Sequence, residues 1–232
     1  MCNSTRWGAL RKYPGQVIII SVGPVTNLAD VIARDPAAWK MVKEVYSMFG
    51  SFFMGYDGGP APDAEWNVRA DVESAKKFMT FLPGVPITLA GLDVTTTVKY
   101  TEEWRTKLFQ RRSPLTDAVS GLYTLWAGDR SGVPNVCNWG PQRVELHTLG
   151  CRTRWGALMH ADPTLFDPVA VSMALGAGFV TTRAAHVRVT DDGYTIVDET
   201  RPPNCRIGMH IDREAFLRWL TGRLVRQNLM RE

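Results

Sequence analysis

From Gln16 to Val22 the chain runs through a short, unbroken series of mostly isoleucine and valine, and Gly23-Pro24 ends it. Such a run suits a parallel strand covered on both faces. Thr26 and Asn27 then offer capping side chains, Leu28, Val31 and Ile32 recur at the spacing of one helical face, and Asp35-Pro36 closes the unit. Val42 to Met54 is a second apolar stretch, and Gly55 to Pro62 is a loop dense in Gly and Pro, the kind of strand-end segment on which sites are built. Asp71 predicts the N-cap of a helix with Ala75, Phe78 and Met79 on one face, ending near Pro83, after which Pro86 to Asp93 returns to strand.

Helical patterns follow over Glu102 to Gln110, Pro114 to Trp126 and Asp167 to Leu175. Ala185 to Val189 and Tyr194 to Asp198 read as a hairpin around Asp191-Asp192-Gly193, and Asp212 to Gln227 as an amphipathic helix with Phe216, Leu220 and Leu224 in register. Strands alternating with helices at this spacing predict an α/β fold, an open and mainly parallel sheet with helices on both faces. One domain over 1–232 is expected, interrupted at 129–163 by an irregular insertion. Within that insertion Thr153 to Leu158 repeats Thr5 to Leu10 letter for letter. Two copies are too few for a solenoid, so a non-structural origin is expected.

Composition narrows the class. The chain of 232 residues, 45% hydrophobic and 22% charged, is long enough to bury a sizeable core. Its formal charge of +4 comes largely from Arg6, Arg11 and Lys12 and from Arg213, Arg218, Arg223, Arg226 and Arg231 along the last helix. Arginines spread along a helix read as a solvated face, so nucleic acid is not implied. Cys2, Cys137, Cys151 and Cys205 form no CxxC pair and no closely spaced ligand set with histidine, which argues for neither zinc nor a disulfide framework. No apolar run approaches the roughly 20 residues that span a bilayer, and Met1 to Gln16 has no signal-peptide core. A cytoplasmic chain without a membrane partner is expected.

Four segments stand in order: Gly23-Pro-Val-Thr-Asn27, Ala64-Glu-Trp-Asn67, Gly91-Leu-Asp-Val-Thr95 and Phe166-Asp-Pro-Val-Ala-Val171. As a set they resemble the inosine-uridine preferring nucleoside hydrolases. The resemblance implies a calcium-dependent enzyme that splits the N-glycosidic bond of ribonucleosides into ribose and free base, and a homo-oligomer is compatible with it. Vicinal ribose hydroxyls and an activated water both suit a calcium ion with hard oxygen ligands. On this resemblance the main-chain carbonyl of Val22 and the carboxylate of Asp167 are metal ligands, Glu65 and Asn67 contact the ribose, Met48 lies under the sugar and Phe166 stacks on the base.

Each residue also has a plainer reading. Asp167 ahead of Pro168 suits a helix N-cap, Met48 suits core filling, Glu65 and Asn67 suit a polar loop, and Trp66 suits a core anchor. Two departures affect the chemistry. Gly59 stands where the family often has an asparagine, and Phe166 where many members have a leaving-group histidine. His147, His160, His186 and His210 lie elsewhere.

The largest departure is at the start. The family carries an aspartate-rich DxDxGxDDA segment that holds the metal and supplies the base, whereas the first acidic residue here is Asp30. The chain is therefore expected to be N-terminally truncated relative to the family, with Val17 to Val22 near a sheet edge, no assigned catalytic residue and an incomplete metal site. The alternative function is an inactive relative that binds a nucleoside or a protein partner.

Overall fold

The computed structural model describes residues 4–81, 84–130 and 162–227. The second TRWGAL copy, and the 129–163 insertion apart from its first two and last two residues, lie outside them. The chain divides into two compact units, Met1–Val98 with Thr164–Arg213, and Lys99–Pro163 with Glu214–Glu232.

In the first unit β1 (Val17–Ser21), β2 (Val42–Met48), β3 (Ile87–Ala90), β4 (Val180–Ala185) and β7 (Cys205–Ile211) form one sheet in the order β1-β2-β3-β7-β4. The pairs β1–β2, β2–β3 and β3–β7 are parallel, and β4 runs antiparallel to β7. The helices of this unit are α1 (Ser4–Lys12), α2 (Thr26–Arg34), α3 (Pro36–Trp39), α4 (Trp66–Arg69), α5 (Val72–Thr80), α6 (Leu92–Thr95) and α9 (Phe166–Ala174). The first TRWGAL copy lies in α1. The β5 (Val187–Val189) and β6 (Thr195–Val197) pair is the hairpin read from the sequence, closed by Thr190 N–H donating to the Tyr194 carbonyl at 2.9 Å.

The core forms because alternate strand residues point to one face. Val45, Ile87 and Leu89 join Val31 and Ile32 of α2, Phe78 and Met79 of α5, Trp39 and Phe49. Phe78 takes both Trp39 and Phe49 edge-on, the geometry that aligns a ring edge with a π face. Over the opposite face α9 crosses β1 and β2. There Tyr46 and Thr88 share a cleft of about 230 Å³ with Ser172 and Met173.

Three sequence expectations are corrected. The apolar run of β1 is not covered on both faces: Val17 and Ile19 pack on the core, but Ile18, Ile20 and Val22 are 37%, 39% and 44% exposed. β1 pairs with β2 alone among the described residues, which is the edge position anticipated for it. Thr26 and Asn27 do not cap α2, whose N-cap residue is Val25. The Thr26 hydroxyl donates instead to Asp71, which does cap α5 by accepting from Ser74 N–H at 3.1 Å. Trp66 is no core anchor, being 60% exposed with the Arg69 guanidinium over its ring.

The second unit contains α7 (Glu102–Gln110), α8 (Pro114–Arg130) and, from Glu214 onward, α10 (Arg213–Arg226). Its Tyr100 hydroxyl bonds Thr221 at 3.0 Å. The buried Arg105 guanidinium donates to the Tyr100 carbonyl and to Asp162 and lies over the Tyr123 ring.

Candidate functional site at the carboxyl ends of the strands

Because β1, β2 and β3 are parallel, the segments leaving them emerge at one edge of the sheet, where open α/β sheets bind ligands. Val22 follows β1, Met48 ends β2, and Asp93 follows β3. The register sets Ser21 against Ser47 and Met48 against Ala90, so these exits are neighbours. α9 packs on β1, β2, β3 and α6 and brings Phe166 and Asp167, in its first turn, to the same unit.

Glu65 and Asn67 converge on the exit of β2. Glu65 is 2% exposed and is the N-cap residue of α4. Its Oε1 accepts from Asn67 N–H at 2.9 Å, and its Oε2 accepts from Gly50 N–H at 3.1 Å and Val68 N–H at 3.3 Å. Burial pushes the carboxyl above its usual range, the backbone donors pull it down, and the charge of Asp167 adds to the upward push. Asn67 is 7% exposed, and its amide donates to the Met48 carbonyl at 3.0 Å and to the Met48 sulfur at 3.2 Å. Met48 therefore serves both as buried packing and as the acceptor that fixes Asn67.

The turn after β2 is tightly built. Gly50 has φ +83, and a Cβ there would stand 2.9 Å from the Thr195 hydroxyl, so glycine is required twice over. Thr195 Oγ1 accepts from Ser51 N–H at 2.9 Å and donates to the Ser51 carbonyl at 2.8 Å, tying the β5–β6 hairpin to this turn. Asp93, the acid of the GLDVT segment, accepts from Phe52 N–H at 2.9 Å and Phe53 N–H at 2.7 Å. Its carboxyl is also raised by burial against those opposing bonds. The segment was legible in the sequence; the role of Asp93 in clamping a distant turn was not.

Asp167 does not cap α9. The helix begins at Phe166 with Leu165 as its N-cap residue, so Asp167 lies inside the first turn. Its residue is exposed, yet desolvation by the surrounding protein raises its carboxyl, with no hydrogen bond lowering it among the described residues. Phe166 meets Tyr56 edge-on, with ring centroids 6.0 Å apart. Tyr56 was not singled out from the sequence, where only the Gly- and Pro-rich character of its loop was a signal.

Calcium takes six to eight oxygens. The Glu65 carboxylate, which feels the charge of Asp167, and the Asp93 carboxylate are both occupied by backbone N–H groups. Among the described residues no group of three or more His, Cys, Asp or Glu could hold a metal ion. These residues do not by themselves fit a calcium site.

The chain is 26% identical over 216 residues to the non-specific ribonucleoside hydrolase RihC of Escherichia coli K12, which covers 91% of the chain and 62% of that protein. It is 33% identical over 130 residues to uridine nucleosidase 1 of Arabidopsis thaliana, covering 55% of the chain and 38% of that protein. The chain thus spans less than two thirds of the length of these relatives. Among solved structures it superimposes with a TM-score of 0.72 and 20% identity on a purine-preferring ribonucleoside hydrolase from Gardnerella vaginalis, covering 94% of this chain and 63% of that one. A plant nucleoside hydrolase gives a TM-score of 0.72 at 22% identity, covering 95% and 65%. The sequence model of the inosine-uridine preferring nucleoside hydrolases matches residues 4–218, and the chain belongs to that family.

Proposed function

We propose that the chain recognises ribonucleosides and acts on their N-glycosidic bond, releasing ribose and free base. The supporting observation is the gathering of Glu65, Asn67, Met48, Phe166 and Asp167 at one edge of the sheet. In this reading Asn67, its amide nitrogen anchored on Met48, offers its Oδ1 to a sugar hydroxyl. Glu65 fixes the Gly50 turn and the start of α4, and Phe166 packs on the departing base. Val22 offers a main-chain carbonyl one residue beyond the Ser21–Ser47 pair.

Cleavage of an N-ribosidic bond requires stabilisation of an oxocarbenium-like sugar, an activated water and help for the leaving base. Calcium would supply charge and an acidified water when bound, but the donors present are one carbonyl and one uncommitted carboxylate. Asp167 is the carboxylate at this edge free to accept a proton or a ribose hydroxyl, and its exposed side chain can reach solvent water. Without a dedicated base, turnover is expected to fall by about 10² to 10⁴ relative to a complete site.

That deficit favours a second reading, in which the chain binds a ribonucleoside without turning it over. The two are separated by incubating the chain with inosine, adenosine, guanosine and uridine and measuring free ribose alongside bound nucleoside. Ribose release above the spontaneous rate supports hydrolysis, and intact bound nucleoside supports the second reading. Absence of both binding and release contradicts both.

A further inference from the structure

The Glu65 carboxylate accepts from two places in different parts of the fold. Gly50 N–H comes from the turn after β2, whereas Asn67 and Val68 N–H come from the single turn of α4. Both places rest against the β5–β6 hairpin, which is itself packed on α5 through β5.

At the first contact the Thr195 hydroxyl takes up both main-chain polar groups of Ser51, accepting from its N–H at 2.9 Å and donating to its carbonyl at 2.8 Å. A hydroxyl has one hydrogen to give, and Thr195, 2% exposed, commits it to this single residue. Ser51 N–H belongs to the same peptide unit as the Gly50 carbonyl, which accepts from Leu92 N–H at 2.9 Å. That unit is thus pinned at both ends. The pinning matters because Gly50, at φ +83, has no Cβ to limit its rotation. With the peptide unit beyond it held, Gly50 keeps its own N–H directed at Glu65 Oε2.

At the second contact the hairpin turn meets α4. A Cβ on Gly193 would stand 3.2 Å from Arg69 Cα and 3.4 Å from Val72 Cγ2, so the turn lies on the last residue of α4 and the first of α5. Asp191 adds an ion pair to Lys76 of α5. One hairpin therefore spans the two sets of donors that share the Glu65 carboxylate.

We propose that the β5–β6 hairpin is the positioning element of the ribonucleoside site, and that Thr195 is its positioning residue, acting through Ser51 and Gly50 on Glu65 and through Glu65 on Asn67. The inference rests on the ribonucleoside reading above and extends it to a hairpin outside the sugar-contacting set. Because Glu65 and Asn67 are assigned to the sugar, the contribution of Thr195 is the same whatever the base.

The test titrates inosine and uridine calorimetrically into the wild-type chain, Thr195→Val and Thr195→Ser, with circular dichroism to confirm folding and the Gly50 amide proton followed by NMR. Thr195→Val should weaken both nucleosides by the same factor, about three- to tenfold, and move the Gly50 amide proton upfield as its bond to Glu65 lengthens. Thr195→Ser keeps the hydroxyl and should restore both affinities to within about twofold of wild type. In the wild type itself, the Gly50 and Ser51 amides should show hydrogen-exchange protection within about threefold of the hairpin strand amides, as parts of one opening unit. Equal affinity in wild type and Thr195→Val, an unmoved Gly50 amide, or unequal losses for the two nucleosides overturns the inference and leaves the ribonucleoside reading standing. So does Gly50 protection more than about tenfold above that of the hairpin, a result that needs no variant to fold. A wild type that binds neither nucleoside overturns the ribonucleoside reading, and the role of Thr195 toward the sugar with it.

Discussion

The exits of β1 and β2 lie side by side on one sheet, yet they are built in opposite ways. After β2, Glu65, Asn67 and Asp93 are brought in from separate segments and bonded to the backbone of Met48 to Phe53. After β1 there is a short Gly-Pro turn, the half-exposed Val22 and no acidic side chain until Asp30. Buried polar groups are expensive unless satisfied, so a site assembled from them needs many partners, whereas an exposed apolar edge needs none. The polar turn after β2, which the proposed reading assigns to the sugar, is thus built into the fold of this chain, and the exit of β1 carries no comparable set of polar side chains.

Mutations sharpen the contrast. Glu65→Ala leaves the N–H groups of Gly50, Asn67 and Val68 without their acceptor, and urea unfolding should show a loss of about 3 kcal/mol. Asp93→Ala removes the acceptor of Phe52 and Phe53 N–H and should cost about 2 kcal/mol by the same measurement. A loss below about 0.5 kcal/mol in both would break the comparison.

pH gives a smaller effect with a defined sign. Burial raises the Glu65 and Asp93 carboxyls above their ordinary values of 4.5 and 3.8. In that window the folded chain binds more protons than the unfolded one, so stability falls as pH rises. Their contribution is full below the ordinary values and is lost as pH passes through the raised ones. Glu65→Gln should flatten this fall in denaturation series just above pH 4.5; an unchanged slope would remove Glu65 as a source. At the β1 edge, Ile20→Lys touches a side chain already 39% exposed and should shift stability by less than about 0.5 kcal/mol. A larger loss would mean that edge is covered.

Periodicity made α2, α5, α7, α8, α9, α10 and the β5–β6 hairpin legible, with Asp71 capping α5 as its position suggests, but not α1 or the single-turn helices α3, α4 and α6. It missed β4 and β7. In β7 Cys205, Ile207, Met209 and Ile211 alternate with Arg206, Gly208 and His210, but a strand glycine weakens the pattern. Here Gly208 admits Val94, whose Cγ2 would be 2.9 Å from a Cβ at that position. That close approach is tertiary and leaves no periodic trace. The same holds for the site: the motif pair Glu65 and Asn67 could be named from local text, but their burial and the clamping by Asp93 and Thr195 depend on contacts across 41 and 144 residues. β1 misled for the opposite reason, because an apolar run does not report which of its faces is covered.

The measurement that bears most directly on the contrast is inosine binding by calorimetry, in excess calcium and again with a chelator, together with a titration of calcium alone. If the turn after β2 faces the sugar and this chain carries no metal set, as proposed, inosine affinity is equal within about threefold in both conditions and calcium does not bind at the 10⁻⁷ to 10⁻⁵ M dissociation constants, roughly, of sensor sites. Loss of inosine binding on chelation, or calcium binding in that range by this chain alone, would contradict it.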